Sequence, residues 1–278
     1  MKTKSIKFTF IIVFYKNKKG LKKTLYSIVN NLNSIDQNLR SKFNILLVDS
    51  YSNDGSKELI NNFKKDSAID FKHINVERNG VYKAMDESTK KVNNKNNLIV
   101  FINSGDELLN LDPLIRIIIN KDSLPNCITF ITGINFPPFR KIIFFDNEAS
   151  KKAAHQSFVY NPKLHKKYGL YHDQTKLMKK ERMDLDYIFM KKVLKYERES
   201  LRINEILSLA EVTTKNASRN YKLFFKLFMQ VKNPNKRFFL VKKCIIYFTE
   251  SCLRFPLITF LFNIFLVMVS QKRIIFLK

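Results

Sequence analysis

A single carboxylate that follows a short apolar run is the residue of this chain best placed for chemistry. Residues 98–106 read LIVFINSGD, so five apolar residues precede a polar break that ends in Asp106. A run this short and this apolar predicts a strand buried on both faces. Because ligands bind beyond the carboxyl ends of strands in open α/β sheets, Asp106 could hold a divalent cation against a diphosphate there. The alternative is a strand that ends in an ordinary turn.

The elements that must position Asp106 alternate along the first hundred residues. Short apolar runs predict strands at residues 6–14, 43–48, 69–76 and 98–102. Apolar residues at helical spacing predict helices between these strands, around residues 21–32, 59–63 and 81–92. This order predicts an α/β fold with a mostly parallel, doubly wound sheet. Beyond residue 125, the pattern predicts strands at residues 127–132, 141–145 and 155–160 and a helix at residues 183–194.

The composition of the chain points to an anionic partner. Its 278 residues carry a formal net charge of +26, from 50 Lys and Arg against 24 Asp and Glu. Such an excess favours nucleic acid or an anionic lipid surface, although lysine-rich usage is also a common compositional bias. The three cysteines are widely spaced, so they imply neither a disulfide framework nor a zinc site and fit a reducing cytoplasm.

The last part of the chain alternates basic clusters with aromatic and aliphatic residues. Residues 256–270 are apolar almost throughout and are bordered by Arg254 and by Lys272. This segment is shorter than the roughly 17 to 25 residues that span a bilayer, but it suits an interfacial helix with cationic borders. We therefore predict two domains: residues 1–215, and a helical, basic and aromatic extension at residues 216–278 that binds a membrane surface. The alternative is a helical subdomain that packs on the core or forms a dimer interface.

Segments in register along the chain resemble the family 2 glycosyltransferases, in particular the bacterial branch that builds surface polysaccharides. The segments FIIVFYK at 10–16, LLVDSYSNDGS at 46–56, ERNGVYKAMD at 77–86 and FINSGD at 101–106 follow the family order. They are followed by HQSFVY at 155–160 and DLDY at 184–187, so that the resemblance covers roughly residues 6–212. Many relatives have a second carboxylate where this chain has Gly105.

This resemblance implies a GT-A fold and an inverting glycosyltransferase. Such an enzyme moves a sugar from a nucleotide-diphosphate donor to a lipid-linked or saccharide acceptor, in the synthesis of capsule, O-antigen or a similar polymer. A general base takes the acceptor proton as the hydroxyl attacks the anomeric carbon. The expected location is cytoplasmic, on the inner face of the cell membrane, with Mg²⁺ or Mn²⁺ as cofactor and no nucleic-acid partner.

The resemblance also implies a role for individual residues. Asp106 would ligate the metal, Asp49 would accept a hydrogen bond from the nucleobase beside Tyr15, and Asp184 would be the general base, with Asp186 in reserve. The alternatives are that Asp49 shapes a turn and that the two later aspartates complement a helix dipole. The residues expected to bind the nucleotide sugar are Tyr15, Asp49, Arg78, Asn79, Tyr82, Asn103, Ser104, Asp106 and His155.

Other residues near these motifs, and the chain as a whole, have alternative interpretations. Asp54 is expected to cap or shape its turn, and Glu107 is expected to be a surface acid. His155 is a ligand or phosphate contact in one interpretation and a hydrogen-bonded structural histidine in the other. A transferase domain that has kept the fold as a scaffold, or a basic nucleic-acid-binding protein, would explain the same composition.

Overall fold

The structure is a computed structural model that describes residues 6–66, 69, 71–92, 96–120, 124–135, 142–145, 155–173, 185–211 and 273–276. The strands in these ranges are β1 (Lys7–Phe14), β2 (Phe43–Asp49), β3 (Phe71–Asn75), β4 (Asn97–Phe101), β5 (Glu107–Leu108), β6 (Cys127–Asn135), β7 (Ile142–Phe145), β8 (Phe158–Tyr160), β9 (Ser200–Glu211) and β10 (Arg273–Phe276). The helices are α1 (Lys18–Asn33), α2 (Gln37–Arg40), α3 (Ser56–Asp66), α4 (Val81–Lys90), α5 (Asp112–Asn120), α6 (Leu164–Tyr168) and α7 (Leu185–Tyr196). One 3-10 turn, His155–Ser157, precedes β8.

Strands β1 to β6, β8 and β9 form one mixed sheet without β7. Its strand order is β3-β2-β1-β4-β8-β6-β9-β5. The four strands β3, β2, β1 and β4 are parallel, whereas β8 pairs antiparallel with both β4 and β6, and β9 pairs antiparallel with β5. The parallel half brings the carboxyl ends of β1, β2 and β4 to one edge, since Phe14 is in register with Asp49 and the Ile102 N–H donates to the Ile11 carbonyl at 3.0 Å.

Apolar side chains from both faces of the parallel strands build two cores. On one face, Phe8, Phe10 and Ile12 of β1 pack with apolar residues from α1, α3 and α5. On the other face, Ile11 and the β4 residue Phe101 pack with residues from α4, α6 and α7. Strands buried on both faces and helices on both sides define the doubly wound α/β fold that the sequence predicts.

The chain forms two compact units. The first consists of Met1–Gly133 with Asp146–Ala210, and the second consists of Ile134–Phe145 with Glu211–Lys278. In the second unit, β7 and β10 pair antiparallel. Of the extension predicted to be helical, the structure describes β10 alone; the rest of residues 216–278 lies outside the described residues. None of the helices described is both long and apolar enough to cross a bilayer.

Candidate active site

The turn after β2 buries Asp49 at the carboxyl edge of the sheet. Asp49 is 3 % exposed, and its Oδ1 accepts the Ser52 N–H at 2.8 Å, so the carboxylate closes the turn. Its Oδ2 lies 3.8 Å from Nε2 of His73 on β3. Burial lowers the pKa of His73 below its usual value, against the attraction of Asp49. The turn-shaping role is therefore present, and the nucleobase role stays a prediction.

An aromatic and cationic pair stands beside this turn. The guanidinium of Arg78 lies 4.2 Å from the centroid of the Tyr15 ring, and Nζ of Lys16 lies 5.5 Å from the same centroid. The Lys16 N–H donates to Oγ of Ser52 at 2.9 Å, which ties the end of β1 to the turn after β2. Tyr15 and Arg78, which the sequence places 63 positions apart, are thus in contact. Asn79 is exposed on the loop between β3 and α4.

Asp54 joins the first turns of two helices. Its Oδ1 accepts from the N–H and the hydroxyl of Ser56, at 3.2 and 2.6 Å, and its Oδ2 accepts the Lys18 N–H at 2.8 Å. Burial would raise the pKa of Asp54, but these hydrogen bonds hold it below its usual value. The prediction that Asp54 caps its turn is confirmed.

The turn after β4 is held by α1. The buried hydroxyl of Thr24 lies 2.7 Å from the Asp106 carbonyl, and it accepts the Gly105 N–H at 2.9 Å. The Asp106 N–H donates to the Asn103 carbonyl at 2.9 Å, and the Ser104 hydroxyl donates to the carbonyl of Asn17, the residue before α1, at 3.3 Å. Asn103 and Ser104 therefore shape the turn that presents Asp106.

Gly105 has a conformational reason to be glycine. Its φ is +118°, a region that L side chains rarely adopt, although a Cβ there would meet nothing within 4 Å. The turn thus has room for the second carboxylate that many family members carry but strains any side chain at that position. Glu107, one residue beyond Asp106, is half-buried rather than a simple surface acid, because it begins β5 and pairs with Lys23 at 3.1 Å.

Asp106 is buried and has a partner that the sequence analysis missed. The carboxylate is 5 % exposed, and its Oδ2 accepts from Nε2 of Gln156 at 2.6 Å. Gln156 lies inside the HQSFVY segment, but the sequence alone assigns it no role because an uncharged amide does not by itself suggest chemistry. Its Oε1 is buried and has no hydrogen-bond partner among the described residues.

A second cluster joins three residues that the sequence predicts for the site. Asp186, in the first turn of α7, accepts the Tyr82 hydroxyl on Oδ1 at 2.9 Å and lies 2.6 Å from His155 Nδ1 through Oδ2. The other ring nitrogen of His155, Nε2, is buried and has no hydrogen-bond partner in the described part of the chain. Asp184 lies outside the described residues.

The electrostatics of this cluster favour an ionised aspartate. Burial would raise the pKa of Asp186, but hydrogen bonds from His155 and Tyr82 hold it below its usual value. Burial would lower the pKa of His155, but Asp186, and with it Asp106, raises that pKa above its usual value. His155, the partner of Asp186, and Gln156, the partner of Asp106, are adjacent in the 3-10 turn His155–Ser157, which brings the two clusters together.

The metal-ligating side chains described at this site are too few to complete the coordination of a cation without a bound ligand. Among the described residues, no group of three or more His, Cys, Asp or Glu side chains could hold a metal ion. The Asp106 carboxylate is an oxygen ligand of the kind Mg²⁺ and Mn²⁺ prefer, and the neutral form of His155, with its proton on Nδ1 towards Asp186, would offer the unpartnered Nε2 as a second ligating atom. Such a pair suits an ion that completes its coordination with phosphate oxygens and waters.

Comparison with known proteins identifies part of the chain. Residues 9–131 match the model of glycosyl transferase family 2. No curated protein sequence matches the chain. The mannosyltransferase PcManGT from Pyrobaculum calidifontis, solved with GDP-Man and Mn²⁺, is similar in structure with a TM-score of 0.56 and 11% identity, over 94% of this chain and 80% of that one.

Residues 1–349 of S. aureus TarS are similar as well. The TarS structure with UDP-GlcNAc has a TM-score of 0.55 and 12% identity, over 88% of this chain and 73% of that one. The TarS structure with UDP has a TM-score of 0.53 and 13% identity, over 88% and 72%. Similarities at this level of identity establish the fold, which is the GT-A fold.

Proposed function

We infer that residues 9–131, which belong to the family 2 glycosyltransferases, form the donor-binding part of an enzyme that transfers a sugar from a nucleotide-diphosphate donor. The chain is a glycosyltransferase, and the transfer is proposed to be inverting. The observation that carries the proposal is the pairing of Asp106 with Gln156 beside the His155–Asp186 pair, where His155 Nε2 and Gln156 Oε1 are buried without a hydrogen-bond partner in the described part of the chain. Polar atoms buried without partners cost folding free energy unless a ligand satisfies them.

Each part of the donor has a candidate site. The nucleobase is proposed to lie at Tyr15, Asp49 and Arg78, which the ends of β1, β2 and β3 bring to one edge of the sheet. The diphosphate is proposed to lie at Asp106 with Mg²⁺ or Mn²⁺, which disperses the leaving-group charge when bound. The solved relatives bind UDP, UDP-GlcNAc and GDP-Man, which supports a nucleotide-sugar donor without selecting one.

Asp184 is proposed as the general base, and Asp186 as the residue that positions His155. Both oxygens of Asp186 accept hydrogen bonds, from Tyr82 and His155, and its pKa is held below the usual value. A carboxylate so engaged is a weak proton acceptor for a sugar hydroxyl. The base is therefore assigned to Asp184, two residues earlier in the chain.

The acceptor is proposed to be lipid-linked or saccharide, in surface polysaccharide synthesis at the inner face of the cell membrane. The net charge of +26 and the apolar, cation-bordered segment 256–270 support contact with anionic lipid. The domain boundary near residue 215 belongs to the same proposal. Flotation of the full chain with vesicles tests this proposal. We expect binding to phosphatidylglycerol vesicles that weakens as salt is added. Equally strong binding to neutral vesicles, or no binding to either kind of vesicle, would contradict an electrostatic anchor.

The catalytic proposal is tested by transfer of sugar from a panel of nucleotide sugars to a membrane extract, with Mn²⁺. The wild type is expected to release a nucleoside diphosphate in step with transfer. Removing the general base in Asp184→Asn should lower kcat by about 10² to 10⁴-fold. Full activity of both Asp184→Asn and Asp106→Asn would contradict the proposal and would favour a scaffold that has kept only the fold.

A further inference from the structure

Gln156 combines a tight contact to Asp106 with an unsatisfied acceptor. It is 6 % exposed, and its Nε2 donates to Oδ2 of Asp106 at 2.6 Å. Its Oε1 is buried and has no hydrogen-bond partner among the described residues. Buried amide oxygens in proteins are nearly always paired, so an unpaired one beside a carboxylate needs an explanation.

The orientation of this amide is determined by its neighbours. The two ends of a glutamine amide look alike by shape, but a carboxylate accepts hydrogen bonds and cannot donate one when ionised. Nε2 must therefore face Asp106, which leaves Oε1 directed elsewhere. The backbone is fixed too, because the Ser208 hydroxyl on β9 donates to the Gln156 carbonyl at 2.7 Å.

The unpaired atom defines the chemistry of what it binds. An amide oxygen accepts hydrogen bonds or ligates a hard cation, so its partner brings an O–H or N–H group or is a cation held at Asp106. Diphosphate oxygens at neutral pH carry no proton to donate, whereas the hydroxyls of a sugar do. In a nucleotide sugar, the sugar follows directly after the diphosphate that is proposed to lie at Asp106.

We propose that Gln156 determines donor-sugar recognition: its Oε1 accepts a hydrogen bond from a hydroxyl of the donor sugar, while its Nε2 holds Asp106 in place. This inference rests on the proposed function. It assigns two effects to one side chain, and binding measurements separate them. Loss of the contact to Asp106 weakens the binding of a nucleoside diphosphate and of its nucleotide sugar alike. Loss of the Oε1 contact weakens the binding of the nucleotide sugar alone.

The experiment compares the Kd of UDP with that of UDP-GlcNAc, and the Kd of GDP with that of GDP-mannose, all with Mn²⁺, by calorimetry on the full chain. In Gln156→Met, the ratio of the nucleotide-sugar Kd to the nucleoside-diphosphate Kd should rise by about five- to tenfold for the pair the wild type binds, as expected for one hydrogen bond. Gln37→Met, at an exposed glutamine of α2, is the matched control and should leave the ratio unchanged.

The outcomes are distinct. An unchanged ratio in Gln156→Met overturns the inference: if both ligands are weakened equally, Gln156 acts only on Asp106 or on a bound cation or its water, and if neither is weakened, Gln156 contacts no part of the donor. If Gln156→Met does not fold, Gln156→Asn keeps the amide but withdraws it by one methylene and should raise the same ratio. If the wild type binds neither pair, the same ratio is measured for the other nucleoside diphosphates and their nucleotide sugars, and a wild type that binds none of that panel overturns the proposed function, and this inference with it.

Discussion

His155 and Asp186 face each other with 2.6 Å between Nδ1 and Oδ2, although 31 positions separate them in the chain. The second oxygen of Asp186 accepts the hydroxyl of Tyr82, 104 positions away. This arrangement fixes the imidazole ring and leaves its Nε2 buried, one residue along the chain from the Gln156 side chain that contacts Asp106. A histidine oriented in this way by a carboxylate is a common arrangement behind a bound metal or anion.

Replacing Asp186 should impair catalysis less than replacing Asp184. Asp186→Asn removes an acceptor that positions His155, and lost support of this kind typically costs about 10- to 100-fold in activity. Asp184→Asn removes the proposed base, which contributes about 10² to 10⁴-fold. Steady-state kcat values of the two variants make the comparison. If Asp186→Asn is inactive and Asp184→Asn is not, the assignments of base and positioning residue are reversed.

A buried chain of hydrogen bonds predicts how stability depends on pH. Nδ1 of His165 lies 3.1 Å from the Gly169 carbonyl, which can only accept, so Nδ1 carries the proton. Nε2 of the neutral ring then accepts the Tyr160 hydroxyl at 2.8 Å, and Tyr160 accepts the Tyr171 hydroxyl at 2.7 Å. Burial lowers the pKa of His165 below its ordinary value of 6.5.

The sign of the pH effect follows from this lowered pKa. Below pH 6.5 the unfolded chain binds a proton at His165 that the folded chain rejects, so this stability is full above pH 6.5 and declines as the pH falls towards the folded pKa. Urea unfolding at pH 7.5 and pH 5 should show a smaller loss of unfolding free energy in His165→Phe than in the wild type. An equal loss of unfolding free energy in both proteins would mean that the pKa of His165 is the same in the folded and the unfolded chain.

The protein should become more stable when Tyr51 is replaced by glycine. Its φ is +59° and its side chain is 64 % exposed, so the residue is strained while contributing little packing. The left-handed conformation costs about 1–2 kcal/mol, and the extra freedom of glycine in the unfolded chain offsets about 0.5–1 kcal/mol of the gain. Tyr51→Gly should therefore raise the unfolding free energy by about 0.5–1 kcal/mol.

A tyrosine in a helix provides the control for this change. Tyr26, in the interior of α1, is 49 % exposed, and Tyr26→Gly should lower stability because glycine disfavours a helix interior. Denaturant unfolding measures both variants. A loss of stability in Tyr51→Gly would mean that the Tyr51 ring makes contacts that outweigh its strain.

Asp86 should be essential for the packing of α4 against the loop at residues 169–173. The carboxylate is fully buried and accepts the Tyr171 N–H at 2.8 Å, the His172 N–H at 3.1 Å and, at 2.5 Å, Nδ1 of His172. Asp86→Ala should cost about 2–3 kcal/mol, since hydrogen bonds to a charged group are lost and a buried N–H is left unpaired. Glu87→Gln, at the next and half-exposed position, should cost less than about 1 kcal/mol. Similar losses in both variants would contradict this role.

The parallel half of the fold was predictable because its signals are local. Apolar runs and polar breaks placed β1, β2 and β4 within about a residue of their observed ends. Strand β9 was not predicted: exposed and partly buried residues alternate only at its start, the alternation breaks at residues 204–205, and three consecutive residues in its second half are buried. Residues 155–157 form a 3-10 turn rather than the start of a strand, since β8 begins at Phe158.

The site was predictable only where a motif carried it. Asp106 was proposed from its position at a strand end and Asp49 from the resemblance to a family motif, and the structure places both at the carboxyl edge of the sheet, whereas their roles stay predictions. The position of Asp186 could not be predicted, because Asp residues at the start of a helix are ordinary and its two partners lie on distant elements. Gln156 was missed because an uncharged amide does not suggest chemistry, and its contact to Asp106 is visible only once the 3-10 turn before β8 brings the two side chains together.

The central claim is that Asp106 holds the donor diphosphate through a divalent cation, and thermal unfolding with nucleoside diphosphates tests it most directly. UDP, GDP and other diphosphates are added with and without Mn²⁺ to the wild type, to Asp106→Asn, and to Glu107→Gln as the control for a neighbouring carboxylate. One nucleotide at 100 times its Kd should stabilise the wild type and Glu107→Gln by about 2.7 kcal/mol. This stabilisation should require Mn²⁺ together with the nucleotide. Asp106→Asn should lose this response. A wild type that responds to no nucleotide, or an Asp106→Asn variant that responds as fully as the wild type, would contradict the account.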